Sequence, residues 1–169
     1  MNLLSLLLVA TASSVAYAAP PEFFIDIGAC PFEGCQYGKW MARQDITLYA
    51  EKDPKSQVVA RIKRGEKVIA VTGDVHTIPG KFKAFFEIGE SPKIRIKANT
   101  VISVYTYCGE GYYKVWHRGK MVPIGLSEMP DFGKWIRQPK SIWWVKIKTN
   151  VGITGWTNTP EFDGRDSLA

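Results

Sequence analysis

Beyond its first eighteen residues, no stretch of this chain repeats apolar side chains at i, i+3, i+4 and i+7 for the length of a helix. That absence constrains the fold more than any motif does. Glycine and proline recur about every 10 to 15 residues, each able to end a helix before it is long enough to bury a face. Between them the residues alternate. In "DITLYA", Ile46, Leu48 and Ala50 are separated by polar or amphipathic neighbours; "QVVARIKRGEKVIAV" puts Val58, Ala60 and Ile62 on one face, breaks at Gly65 and continues through Val68 and Val71. Because successive side chains of a strand point to opposite faces, this period of two marks half-buried strands joined by turns. The fold class expected is all-β.

The first eighteen residues are of a different kind. "MNLLSLLLVATASSVAYA" has no charged side chain, an apolar run from Leu3 to Ala10 and small residues at Ala16 and Ala18. This is the pattern of a secretory signal peptide over 1–18, cleaved after Ala18. The run is too short to span a hydrocarbon layer of about 30 Å comfortably, and no stop-transfer charges follow, so no stable membrane anchor is expected after cleavage. Export sets the context for the rest: the protein is expected to be secreted or periplasmic. The formal charge of +6 then suggests acidic partners or anionic cell-wall polymers, with no nucleic acid expected.

Export also permits disulfides. Cys30 and Cys35 bracket "CPFEGC", in which Pro31 and Gly34 favour a tight turn, and a local disulfide is expected there. A zinc site needs more ligands than this pair has near it, and no metal or cofactor is expected. Cys108 is left over. It shares strand parity with Ile102 and Val104, which predicts a buried, inert thiol.

Two pairs of segments echo each other. "KVIAVTG" at 67–73 has a cousin in "TVISVYT" at 100–106, and "YYKVWHRGKMV" at 112–122 resembles the opening of "WWVKIKTNVGITGW" at 143–156. Each of the latter pair is an aromatic doublet, then Lys beside Val or Ile, then a glycine turn, so a degenerate internal repeat is expected. Residues 126–141, rich in Pro, Gly and charge, read as a linker or long loop that still needs a surface for Trp135 and Ile136. Residues 19–44 read as an N-terminal segment with the cysteine loop, and 159–169 as a flexible tail.

"ITLYAEKDPKSQVVARIKRGEKVIAV" followed by "WWVKIKTNVGITGWT" resembles a bacterial Src-homology-3 domain. The landmarks are Val58, Val59, Ile62, Gly65, Val68, Trp144, Ile147, Gly152, Gly155 and Trp156. The resemblance implies a small barrel split between 45–77 and 141–158, with residues 78–140 inserted as a β-rich segment, the two parts forming nested half-barrels. It also implies a binding module without catalytic activity, of the kind that holds cell-wall peptides or other protein segments.

The aromatic doublets supply the candidate site. Alternation places Trp143 with Val145 and Ile147 on a core face, and Trp144 with Lys146 and Lys148 on the other; Tyr112, Lys114 and Trp116 likewise share a face. Tyr112, Trp116, Trp143, Trp144 and Trp156 are therefore the expected ligand-binding residues, able to stack on a sugar ring or peptide while the lysines draw carboxylates. The partner expected is a protein, a peptide or cell-wall glycan. No catalytic residue is assigned. The alternatives are a small envelope hydrolase using Cys108 with His76 or His117, and a structural subunit whose aromatic stripe is covered in a complex.

Overall fold

The computed structural model describes residues 17–91, 94–126 and 132–167; the expected signal peptide lies, up to residue 16, outside the described residues. They form β1 (Phe24–Ile27), β2 (Gly38–Ala42), β3 (Ile46–Tyr49), β4 (Val58–Ile62), β5 (Lys67–Ile78), β6 (Gly80–Ala84), β7 (Ile88–Ser91), β8 (Ile94–Ile96), β9 (Val101–Gly109), β10 (Tyr112–His117), β11 (Lys120–Gly125), β12 (Gly133–Arg137), β13 (Lys140–Lys148), β14 (Thr154–Thr157) and β15 (Phe162–Asp163). There is no helix among the described residues. The protein is all-β.

The first sheet runs β15-β2-β5-β13-β14-β3-β4 and curls into a half-barrel. β5 is its spine. One side of β5 carries β2 against its first half and β1 against its last, while β13 follows the other side from Ile78↔Lys140 to Ile69↔Lys148. β14 returns along β13 and bridges to β3 through Trp156↔Tyr49. The segments at 45–77 and 141–158 thus share one ladder. Their inward residues, among them Leu48, Ile62, Val68, Val75, Trp143, Val145 and Ile147, form one core with Trp40 of β2. Each fully buried aliphatic side chain there contributes about 1.5–3 kcal/mol relative to exposure.

Residues between β5 and β13 build a second sheet, β11-β10-β9-β6-β12, capped by the β7–β8 hairpin. It has a core of its own, including Phe82, Ile102, Val104, Val115, Val122, Ile124 and Leu126. The echoing segments hold matching places: β5, β13 and β14 lie side by side in the first sheet, as β9, β10 and β11 do in the second. The chain passes between the sheets at a narrow waist. β6 and β12 pair where they leave it, Lys81↔Arg137, and the Arg137 guanidinium donates to the Pro79 carbonyl at 2.8 Å.

Three sequence expectations change here. The stretch read as a linker contains β12, whose Trp135 packs edge-on against Phe82 at 5.2 Å; residues 127–131 lie outside the described residues. The tail is not frayed through Ser167. Phe162 is 1% exposed and stacks by Trp40 at 5.3 Å, β15 pairs with β2, and Ser167 N–H donates to Gly34 O at 2.8 Å. The buried Phe162 ring and these backbone pairings together anchor the segment. Finally, the N-terminal segment is no mere appendage, since it supplies β1 and β2 and the Cys30–Cys35 disulfide, whose loop packs on the first core.

Candidate functional site

Alternation along β5 puts Lys67 and Ile69 on the outer face of the first sheet, opposite the inward Val68 and Ala70. Lys39 on β2 and Lys148 on β13 both stand directly across from Ile69, so Lys39, Ile69 and Lys148 form one row over three strands. With neighbouring strands about 4.8 Å apart, the two lysine Cα atoms are roughly 10 Å apart. Met41 faces Lys67 in the next row. These five residues, with Asn150, Asp163 and Gly164, line a groove of about 640 Å³. The one carboxylate of the groove is taken by Arg43, 3.0 Å from Asp163. Among the described residues, none of the three lysines is in an ion pair. The groove is an apolar floor with cations on its walls, chemistry suited to an anionic group carried on an apolar or peptide framework.

Further along the same face lies an aromatic cluster. Lys52 Nζ sits 4.7 Å from the Trp156 ring centre and Lys146 Nζ 5.6 Å, so both ammonium groups lie over one half-buried indole. Lys52 also reaches Asp74 Oδ2 at 2.5 Å, while the Gly28 N–H donates to Asp74 Oδ1 at 3.0 Å. Burial alone would raise the Asp74 carboxyl, but Lys52 and that N–H hold it below its ordinary value. Neighbouring His76 stacks edge-on with Phe23 at 5.6 Å, and its Nε2 is buried without a hydrogen-bond partner. Burial, helped by Lys52, pushes its pKa down. The Asp74 and His76 pair therefore has no metal-like arrangement, since the carboxylate is already spent on Lys52 and the backbone.

The five predicted aromatic residues do not converge. Trp143 is in the first core, 8% exposed and ringed by Phe32, Tyr37 and Trp40 at 5.5–6.4 Å. It cannot meet a ligand without unpacking that core. Trp144 faces outward as expected, yet is 3% exposed, with Tyr49 edge-on to it at 6.4 Å. Trp156 remains half-buried beneath its lysines. Tyr112 and Trp116 belong to the second sheet, away from the others, and the Trp116 indole donates to Ala18 O at 3.0 Å as the N-terminal segment crosses β10. Lys114, between them, is bound to Asp26 of β1 at 2.6 Å. The aromatic face of β10 is thus largely occupied by the chain itself.

Cys108 is exposed, contrary to the parity argument. The reason is a bulge. Val104 pairs with Val115, but Tyr107 pairs with Tyr113, so three steps on β9 oppose two on β10 and every later side chain changes face. The cavity beside Cys108 is lined by Cys30, Phe32, Glu33, Cys35, Glu110 and Tyr112 among others, and by no histidine. Sequence reasoning missed Lys39 and Met41 because 19–44 was read as an N-terminal segment with no strand assigned; Lys67 and Ile69 lay on a recognised strand, but nothing local to it announced the β2 partner that completes the groove. The signal was present in "GKWMA", where Lys39 and Met41 alternate with the buried Trp40 and Ala42. No protein-family model, no curated protein and no solved structure matches the chain.

Proposed function

We propose that this chain is an exported, non-catalytic binding module that holds an acidic segment of a partner protein, or a carboxylate-bearing cell-wall peptide, in the groove over Ile69. The observation that carries the reading is the row Lys39–Ile69–Lys148, which sets two unpaired cations on either side of an exposed aliphatic side chain. An extended peptide rises about 3.3 Å per residue. One crossing the three strands would present residues i, i+2 and i+4 on one face, so carboxylates at i and i+4, about 13 Å apart, fall within reach of the two flexible lysines with an apolar residue at i+2 on Ile69. Export is supported by the leader-like first eighteen residues and by the Cys30–Cys35 disulfide. Kinship with the bacterial Src-homology-3 domain is part of the same reading, supported by the shared ladder of the two split segments and by the fit of Gly155 between β14 and β3.

The test is retention of the purified protein on immobilised acidic peptides and on isolated cell-wall peptidoglycan, at rising salt. Retention at low salt that is lost both in high salt and in the Lys39→Glu, Lys148→Glu double variant is the expected result. Failure to be retained on either matrix, or retention that the double variant leaves intact, would refute the assignment.

A second reading, a structural subunit of an envelope complex, draws on another part of the same face. Ile25, His76 and Ile142 form a row, and Ile25, Ile27, Ile78 and Ile142 are all exposed. Contiguous aliphatic surface of this sort is costly to leave in water and commonly marks a contact. Peptide retention unaffected by Ile27→Asp and Ile142→Asp together would separate that surface from the groove.

A further inference from the structure

All three cysteines of the sequence border one cavity of about 710 Å³, although Cys108 is more than seventy residues from the other two. The Cys30–Cys35 loop packs on the first core, whereas Cys108 stands near the end of β9 in the second sheet. Contacts between the loop and the strand end hold them face to face. Glu33, in the middle of the loop, accepts from the Tyr107 hydroxyl at 2.6 Å and from the Glu110 N–H, the residues on either side of the Cys108–Gly109 pair. The approach is close enough that a Cβ at Gly109 would lie 3.2 Å from Glu33 Cγ. A thiol and a disulfide sharing solvent-accessible space are the two reactants of an exchange that needs nothing else.

We propose that this cavity is a thiol–disulfide exchange site, in which Cys108 displaces one cysteine of the Cys30–Cys35 pair and so joins the two sheets covalently. The Cys108 thiol gives its proton to solvent. Its thiolate attacks one sulfur of the disulfide, a Cys108–Cys30 or Cys108–Cys35 bond forms, and the Cys30–Cys35 bond breaks with its electron pair leaving on the other cysteine, which takes up a proton. One disulfide and one thiol are present before and after, and no oxidant is consumed. The product ties the N-terminal loop to β9, while the released thiol, facing the cavity, can take a small or protein thiol as a mixed disulfide once an oxidised partner of that class is supplied.

The charges around Cys108 set the pH at which this runs. Although the residue is exposed at the surface, partial desolvation of its sulfur pushes the thiol up, the Lys114 ammonium from β10 draws it back, and Asp26 from β1 raises it; Glu33 of the loop and Glu110 of the turn add negative charge at the cavity wall. Exchange is therefore slow near neutrality and speeds in alkali, by about tenfold per pH unit below the thiol's pKa.

The test uses the full chain with Cys108 reduced and the disulfide intact. It is incubated without denaturant at pH 6 and pH 9, quenched in acid, alkylated, and cleaved after Glu33, which separates Cys30 from Cys35, before mass mapping without reduction. The expected result is a Cys108 peptide linked to the Cys30 or Cys35 peptide at pH 9, forming at a rate at least tenfold lower at pH 6, and no such species from Cys108→Ser. Cys108 remaining fully alkylated, with Cys30–Cys35 the only bond after a day at pH 9, would overturn the proposal. So would Cys108 disulfides that join only separate chains, as revealed by mixing isotopically light and heavy protein.

Discussion

Gly155 is the residue where the landmark sequence and the packing meet most directly. A Cβ there would lie 2.6 Å from Val59 Cγ2, 2.9 Å from Leu48 Cβ and 3.0 Å from Tyr49 O, so β14 can approach β3 only if that side chain is missing. Gly155→Ala should therefore lower the unfolding free energy by roughly 1–3 kcal/mol, read from denaturant titration. Gly73 makes a similar demand beneath Trp143, whose Nε1 would be 2.4 Å from an added Cβ. The titrating residues make a second prediction. The folded protein holds His76 and His117 below their ordinary pKa, so the stability each contributes is complete above about pH 7 and lost as pH falls below the unfolded value near 6.5. Asp74, also held low, keeps its contribution above about pH 4 and loses it as pH falls through its folded pKa. The denaturation midpoint should thus fall in two steps on acidification, His76→Gln shrinking the upper step and Asp74→Asn the lower. At this scale the sequence was legible where a side chain had one use, as with the core residues Val145 and Ile147. It was opaque where the partner came from afar: nothing local to Trp143 announces Phe32, Tyr37 and Trp40.

The elements were readable in proportion to their regularity. Alternation found β3, β4, β5, β9, β10 and β13, because each buries one face on a core. It misjudged Cys108 because a bulge is an extra residue in a pairing, and pairing is not a local property of either strand. β2 and β15 escaped for a related reason. Each is short, and each becomes a strand by lying against another, β2 on β5 and β15 on β2. The ladder also differs in strength from place to place. β13 and β5 are paired over their whole common length, whereas β14 and β3 are joined through Trp156↔Tyr49 alone. Amide hydrogen exchange should accordingly show the slowest protons along β5 and β13 and markedly faster ones at the β14–β3 seam. Equal protection across both would contradict this uneven pairing.

For the molecule as a whole, the informative fact is that Ile78 and Lys140 face each other across adjacent strands. Everything between them is, for the first sheet, the loop of a hairpin. Replacing residues 79–139 by Asn-Gly, a pair suited to a tight two-residue turn, should leave a cooperatively folding first unit with Trp40 and Trp143 still shielded in fluorescence quenching. Its stability should be lower, because Asp26–Lys114 and the edge contact of Phe24 with Tyr105 go with the second sheet. The nesting was legible from the long interval between the landmark segments. Which neighbours would bridge the units was not, since Tyr105 O–H to Pro21 O and Lys114 to Asp26 each join residues more than eighty positions apart.

The waist also imposes a timetable on biogenesis. A nascent chain reaches Arg137 with every described strand of the second sheet already made, while the first unit still waits for β13 and β14. The inner unit can settle as soon as it is made, whereas the outer one must keep Leu48, Ile62 and Val68 uncovered until residues 140–157 arrive. Those side chains are the ones a chaperone would have to shield.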